Sequence, residues 1–253
     1  MRAALRLIGL IVVGALALQL YFVARIALMT TVQPESTAFQ RSEMYRVATT
    51  TGQLKWRQQW VPYHQIADQL KKAVIVSEDA GFVEHDGVDV EALEKAWDKN
   101  AQAEQRAQLS VSRLAPGKGT GAAAKSAARP SKIVGGSTIT QQLAKNLFLS
   151  GERTLLRKGQ ELVLTVLLEA LLSKQRILEI YLNSAEWGEG VFGAEAAAQH
   201  YYRKPASKLN AHEAARLAVM LPRPKYFEGR LNSAYLSSRA GTIVARMGDA
   251  VLP

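Results

Sequence analysis

Gly135-Gly136-Ser137-Thr138-Ile139-Thr140-Gln141-Gln142-Leu143-Ala144-Lys145-Asn146-Leu147-Phe148 is the stretch on which the reading of the whole chain turns. Two glycines and two hydroxyl residues open it, the composition of a loop feeding a helix N-terminus. Ile139, Leu143 and Leu147 recur every four residues, which turns one helical face toward a core. The opposite stripe holds Thr138, Gln141, Gln142 and Lys145 at spacings of three and four. Amides, hydroxyls and one ammonium suit a surface that hydrogen-bonds hydroxyl-rich or anionic ligands. The same pattern also describes a capped amphipathic helix with its glutamines outside, so this stretch alone leaves both readings open. No Gly-Lys-Ser/Thr closes a glycine loop, which excludes a phosphate-binding P-loop.

The chain around it has 253 residues, 48% of them apolar, enough for a membrane segment and one sizeable domain. It contains no cysteine, which excludes a thiol nucleophile, a disulfide and a thiolate metal site. A formal charge of +10 points to an anionic partner: nucleic acid, an acidic membrane surface or a diphosphate.

Residues 7–24 form an apolar run broken only by Gln19, and Ile26 to Met29 extend it past Arg25. As a helix this run spans about 27 Å, close to one hydrocarbon core. Arg2 and Arg6 precede it, so the positive-inside rule places the N-terminus in the cytoplasm and the rest outside. A signal peptide cut after Ala15-Leu16-Ala17 would leave Leu20 to Ala24 as an exposed apolar stub, which favours residues 1–30 as an anchor. Residues 31–54 are polar and weakly patterned and read as a tether with a short strand or two.

A single domain follows over residues 55–253. Pro62 introduces a helical segment with Ile66, Leu70, Val74 and Val76 on its buried side. It runs into Glu78-Asp79-Ala80-Gly81-Phe82-Val83-Glu84-His85-Asp86-Gly87. Carboxylates at a helix C-terminus oppose the dipole, which also makes them stronger bases. Residues placed against a local rule are candidates for function, and a solvated acidic loop is the alternative. Asp89 can cap a further helix with Ala92, Leu93 and Trp97 on its apolar side. Residues 101–132 then turn basic and rich in Ala, Ser and Gly, the composition of a mobile insertion.

Downstream, Arg153, Arg157 and Glu161 fall on one helical stripe, with Lys158 beside them. Apolar residues on most other sides predict a nearly fully buried helix to about Leu172. A charged stripe there must be paired or must line a cleft. Lys174 to Asn183 reads as another helix, followed by a glycine-rich turn through Gly188, Gly190 and Gly193. Asn210 and Glu213 have capping-box spacing for a helix ending at Leu221-Pro222, and a last helix runs from about Ser233 to Met247.

Taken together, these segments resemble the peptidoglycan glycosyltransferases, and within them the monofunctional biosynthetic transglycosylases. Five motifs agree in order over roughly residues 55–250: Glu78-Asp79 with Phe82, His85 and Gly87; Gly135 to Phe148; Arg157-Lys158 with Glu161; Lys174 to Asn183 with Gly188 and Gly193; and Glu213-Ala214-Ala215 with Leu217-Ala218 and Pro222. The resemblance departs in two places: the basic segment 101–132 widens the gap between the first two motifs, and Ala80-Gly81 are smaller than the family's usual residues.

The resemblance implies a mostly α, lysozyme-like fold with two lobes, preceded by a single transmembrane helix. It implies polymerisation of lipid II into β-1,4 glycan strands with release of polyprenyl diphosphate, and no transpeptidase activity. Glu78 is then the general base and Glu161 a second essential acid, which could orient the cations, hold a divalent ion or assist the leaving group. Arg153, Arg157, Lys158 and Lys145 would stabilise the departing diphosphate. Asp79, Phe82, His85, Ser137, Thr138, Gln141, Gln142, Asn146 and Asn183 complete the expected substrate-binding set.

No cofactor is required on this reading, with stimulation by Mg or Mn left open. The expected partners are lipid II, the growing glycan chain and membrane lipids. Transpeptidases and cell-division or elongation proteins are expected alongside, because nothing here forms peptide bridges. The location implied is the bacterial inner membrane, with the catalytic domain periplasmic. A glycan-cleaving enzyme on the same fold would gain nothing from a cationic cluster suited to diphosphate. An inactive precursor-binding module fits poorly with intact acids, and nucleic-acid binding with a basic excess lying partly in a low-complexity segment.

Overall fold

The computed structural model describes residues 2–52, 55–112, 136–149, 152 and 154–253. It is mostly helical, with one small sheet. Helix α1 (Arg2–Leu28) is followed by α2 (Ala38–Thr51), strand β1 (Arg57–Gln58), a 3-10 turn at Tyr63–Gln65, α3 (Asp68–Glu78) and α4 (Val90–Ser112). Then come α5 (Ile139–Phe148), α6 (Leu155–Leu171), α7 (Lys174–Ser184), β2 (Glu186–Gly188), β3 (Val191–Phe192), α8 (Ala194–Tyr202), α9 (Ala211–Met220), α10 (Pro224–Glu228) and α11 (Ala234–Arg246). Two compact units emerge, Met1–Val88 with Thr138–Pro253, and Asp89–Ser137.

The core of the larger unit is built where the apolar periodicities converge. Leu70 and Val74 of α3, Ile139 and Leu143 of α5, Leu164 and Leu168 of α6, and Ile177 of α7 are all fully buried. At the centre of the sheet β3 pairs parallel to β1 and antiparallel to β2. Gly190 makes this possible: its φ is +70°, and a Cβ there would lie 2.0 Å from the Lys55 carbonyl oxygen. The glycine-rich turn is therefore a hairpin rather than a plain helix connection. As expected, Asn210 and Glu213 form a reciprocal capping box at the start of α9.

Four expectations need correction. The tether contains a helix and, among its described residues, no strand, because Thr37 and Gln40 form a capping box and Val47 is buried. The amide of Gln40 also donates to the Ser184 carbonyl at 3.4 Å, tying this helix to the domain. Secondly, residues 101–112 of the basic segment are not loop but the C-terminal half of α4, while residues 113–132 lie outside the described residues. Thirdly, α4 begins with Asp89 accepting from the Ala92 amide at 2.7 Å, yet Leu93 and Trp97 are exposed and Ala96 is its buried residue. Finally, α6 is one-sided: Leu155, Leu156, Leu162, Val163 and Val166 are exposed opposite the buried Glu161, Leu164, Thr165 and Leu168. Sequence apolarity reports what a face can be buried in, and hydrocarbon satisfies it as well as a core does.

The apolar helix α1 is long enough and apolar enough to cross a membrane. Most of it is exposed, and only Phe22 and Ile26 are buried within the helix itself, with Met29 just beyond.

Candidate active site

Glu78 is the last residue of α3, where the helix carbonyls raise rather than lower the cost of a negative charge. Its carboxyl is largely buried, and burial pushes its pKa above the ordinary carboxylate value. The neighbouring Asp79 charge adds to the rise, while hydrogen bonds from Gln142 and Ser77 and the charge of Arg239 oppose it. Gln142 Nε2 donates to Glu78 Oε2 at 3.1 Å. The orientation of that amide is fixed from behind, because the Tyr181 hydroxyl donates to Gln142 Oε1 at 3.0 Å. Tyr181 is fully buried and burial drives its phenol pKa far upward, so it stays a neutral donor. From sequence Tyr181 is only one residue of the helix Lys174 to Asn183; the available signal is that a buried tyrosine needs a partner for its hydroxyl.

Asp79 turns the other way. Its Oδ2 accepts from the Ile139 amide at 2.9 Å, the first residue of α5, and its Oδ1 accepts from His85 Nε2 at 2.8 Å. The Gly87 amide donates to His85 Nδ1 at 3.1 Å. That nitrogen must then carry a lone pair, which places the proton on Nε2, facing Asp79. Thr138 Oγ1 donates to the Gly87 carbonyl at 2.6 Å and accepts from the Gln141 amide, and the Gln141 side chain returns the bond to the Thr138 amide. Asp79, His85, Thr138 and Gln141 thus form a frame that fixes the loop 79–87 to the start of α5. Gly87 has φ +84°, and a Cβ there would meet Thr165 Cγ2 at 2.6 Å, so α6 also presses against this loop.

Two further residues expected to bind substrate are buried among protein groups. Phe82 is fully buried, with Lys174 Nζ 4.8 Å from its ring centroid. Lys174 also donates to the His85 carbonyl at 2.5 Å and to Glu169 at 2.9 Å, and Thr140 donates to the same Glu169 oxygen at 2.6 Å. Asn183 is likewise fully buried. Its side chain exchanges two 2.9 Å bonds with the Val61 backbone, which fastens the residues after β1 to α7. The resemblance gives both as substrate-binding, and an aromatic ring or an amide can serve either role; here their contacts are to protein groups.

Glu161, Thr165 and Glu169 lie on one stripe of α6, at i, i+4 and i+8. Thr165 packs at Gly87, so Glu161 sits one turn, about 6 Å, further along the same face. Its buried carboxylate accepts from Arg157 Nη1 at 2.8 Å and from Lys158 Nζ at 2.5 Å. Two cations on one carboxylate leave a net positive charge. Lys158 is about half exposed, and Arg157 Nε is buried without a hydrogen-bond partner among the described residues. Such a donor suits an incoming anion. Both Glu161 oxygens accept from these cations. On α5, Lys145 is exposed and Asn146 partly buried. Ser137 belongs to the Asp89–Ser137 unit and is exposed there, while Arg153 lies outside the described residues.

Comparisons with known proteins agree with this arrangement. The transglycosylase family model matches residues 45–108 and 116–248. A biosynthetic peptidoglycan transglycosylase of Burkholderia thailandensis is 51% identical over 238 residues, covering 94% of this chain and 83% of the relative. Proteins of the same name from Burkholderia pseudomallei and Burkholderia orbicola are 50% and 49% identical, each over 97% of this chain and over 86% and 90% of their own lengths. With the family model covering both the Glu78 region and the Glu161 region, this chain belongs to the transglycosylase family.

Proposed function

We propose that this protein polymerises lipid II into β-1,4-linked glycan strands, with Glu78 as general base. The observation that carries the assignment is a buried carboxyl with a raised pKa whose position is fixed by Gln142 and Tyr181. In the reaction, the acceptor's 4-hydroxyl oxygen forms a bond to the donor's anomeric carbon as the bond from that carbon to the diphosphate breaks. The hydroxyl proton passes to Glu78, and the electron pair leaves with the polyprenyl diphosphate. A base whose pKa lies nearer the working pH takes that proton more effectively. Inversion from an α-linked donor to a β-linkage requires base and leaving group on opposite faces of the sugar.

Arg157 and Lys158 supply the charge that meets the leaving diphosphate, joined by Lys145 and Arg153. Glu161 holds those cations in place as a positioning residue. Any stimulation by Mg or Mn would act at the diphosphate or beside Glu161. Gln142 and Asn146 are left to face the substrate, whereas Asp79, His85, Thr138, Gln141, Phe82 and Asn183 shape the site from behind. We place α1 across the inner membrane with residues 1–6 cytoplasmic and the domain periplasmic, beside transpeptidases and cell-division or elongation proteins. The exposed apolar side of α6 supports a domain partly immersed in lipid.

The test is incubation of the detergent-solubilised full chain with labelled lipid II and separation of the products by gel. High-molecular-weight, lysozyme-digestible glycan is expected from the wild type, and at least about 100-fold less per unit time from Glu78→Gln. Lipid II bound but never polymerised by the wild type would overturn the assignment in favour of a precursor-binding module.

A further inference from the structure

Gln19 is the one polar break in the apolar run, and the reaction outlined above makes no use of it. In the structure it is not directed at solvent. Gln19 Nε2 donates to Gln160 Oε1 at 3.0 Å, and Gln160 Nε2 donates back to Gln19 Oε1 at 3.3 Å. The two amides satisfy each other on a helix whose neighbouring side chains, Leu16, Leu18, Leu20 and Phe22, are apolar. Within hydrocarbon an unpaired amide is strongly disfavoured, so each partner holds the other.

Gln19, Phe22, Ile26 and Met29 share one face of the helix, at spacings of three, four and three. Phe22 meets Phe148, at the end of α5, edge-on at 5.3 Å between centroids. At the far end, Arg176 of α7 donates to the Met29 carbonyl at 2.7 Å and to the Val32 carbonyl at 3.0 Å. The anchor is therefore clamped at two levels, ten residues or about 15 Å apart. The upper clamp falls on α6 beside the cationic cluster, since Gln160 immediately precedes Glu161 and follows Arg157 by three residues.

We infer that Gln19 is a positioning residue: its reciprocal amide pair with Gln160 locks the anchor helix to α6 within the membrane and so sets the depth of Arg157 and Lys158. The consequence for catalysis rests on the function proposed above; the lock itself does not. An anchor that merely tethers would tolerate any apolar residue at position 19. A locked one fixes the diphosphate-binding cations relative to the lipid from which the substrate is drawn.

The chain has no cysteine, so a cysteine pair reports without background. In full-length protein in liposomes, Q19C/Q160C should be joined by a short bifunctional thiosulfonate, read by mass spectrometry of the linked peptides. L18C/Q160C, which starts from an exposed neighbouring position, should be joined several-fold less. Gln19→Leu and Gln160→Leu should each raise KM for lipid II about threefold to tenfold, the range of interhelical hydrogen bonds in membranes, with kcat within about twofold. The double variant leaves no amide unpaired and should show a KM no higher than either single one. Equal linking of the two cysteine pairs, an unchanged KM in both single variants, or single effects that multiply would overturn the inference. A wild type that makes no glycan would count against the proposed function, and the linking ratio would still decide the lock.

Discussion

The loop 79–87 where it meets α5, and the first turns of α6, each gather polar and ionisable side chains and behave oppositely. Around the loop, Asp79, His85, Thr138 and Gln141 bond to one another and to backbone, and Asp79 and Thr138 are buried. On α6, Arg157 and Lys158 share a single carboxylate, and Arg157 Nε is buried with no hydrogen-bond partner among the described residues. The first region is satisfied and makes a frame. The second keeps an excess of positive charge that suits an anionic ligand. Glu78 stands at the junction: its helix end is held by the frame, yet its own carboxyl is raised in pKa and touched by a few neutral donors.

The contrast can be broken from either side. Of the variants in these two regions, Glu161→Gln should cost the most, leaving less than a tenth of wild-type polymerisation with a native circular dichroism spectrum, because it releases the two cations without disturbing the frame. Full activity in that variant would reduce the ion pairs to scaffolding. Arg157→Gln should lower kcat/KM by about tenfold or more while the melting temperature stays near that of the wild type.

On the frame side the signs reverse. Gly87→Ala must adopt φ +84° and fit a methyl group 2.6 Å from Thr165, so chemical denaturation should show a loss of about 2 kcal/mol or more. Thr138→Ala removes the N-cap of α5 and should cost about 1 kcal/mol, with kcat changed far less than in the α6 variants. If Thr138→Ala instead abolished turnover without lowering stability, its hydroxyl would belong to the substrate site after all.

What could be read from sequence followed how local each interaction is. The Ile139, Leu143 and Leu147 stripe and the Asn210–Glu213 capping box depend on residues within two turns, and both appear as expected. The box at Thr37 and Gln40 is equally local and went unread because the segment after it is polar. The cap that Asp79 places on Ile139 joins residues sixty apart, and no spacing rule reaches it. For that reason, the bonds that tie Asp79, Thr138 and Gln141 to backbone groups are not legible, and the resemblance places all three at the substrate. The exposed apolar side of α6 departs from expectation for a different reason: hydropathy does not distinguish a face buried in a protein core from one left uncovered.

The assignment of Glu78 is tested most directly by kcat/KM for lipid II polymerisation as a function of pH, in the wild type and in Glu78→Gln. A base works ionised, so a pKa raised by burial moves the acid-side loss of activity upward, above the ordinary carboxylate value of 4.5. The same shift means that Glu78 contributes to stability below its unfolded pKa and that this contribution is lost as pH rises through the folded one. Glu78→Gln should therefore melt no lower than the wild type at neutral pH. The account predicts a wild-type acid limb above the ordinary range, and in Glu78→Gln a rate at least about 100-fold lower without that limb. A Glu78→Gln enzyme that keeps both the rate and the limb would contradict it.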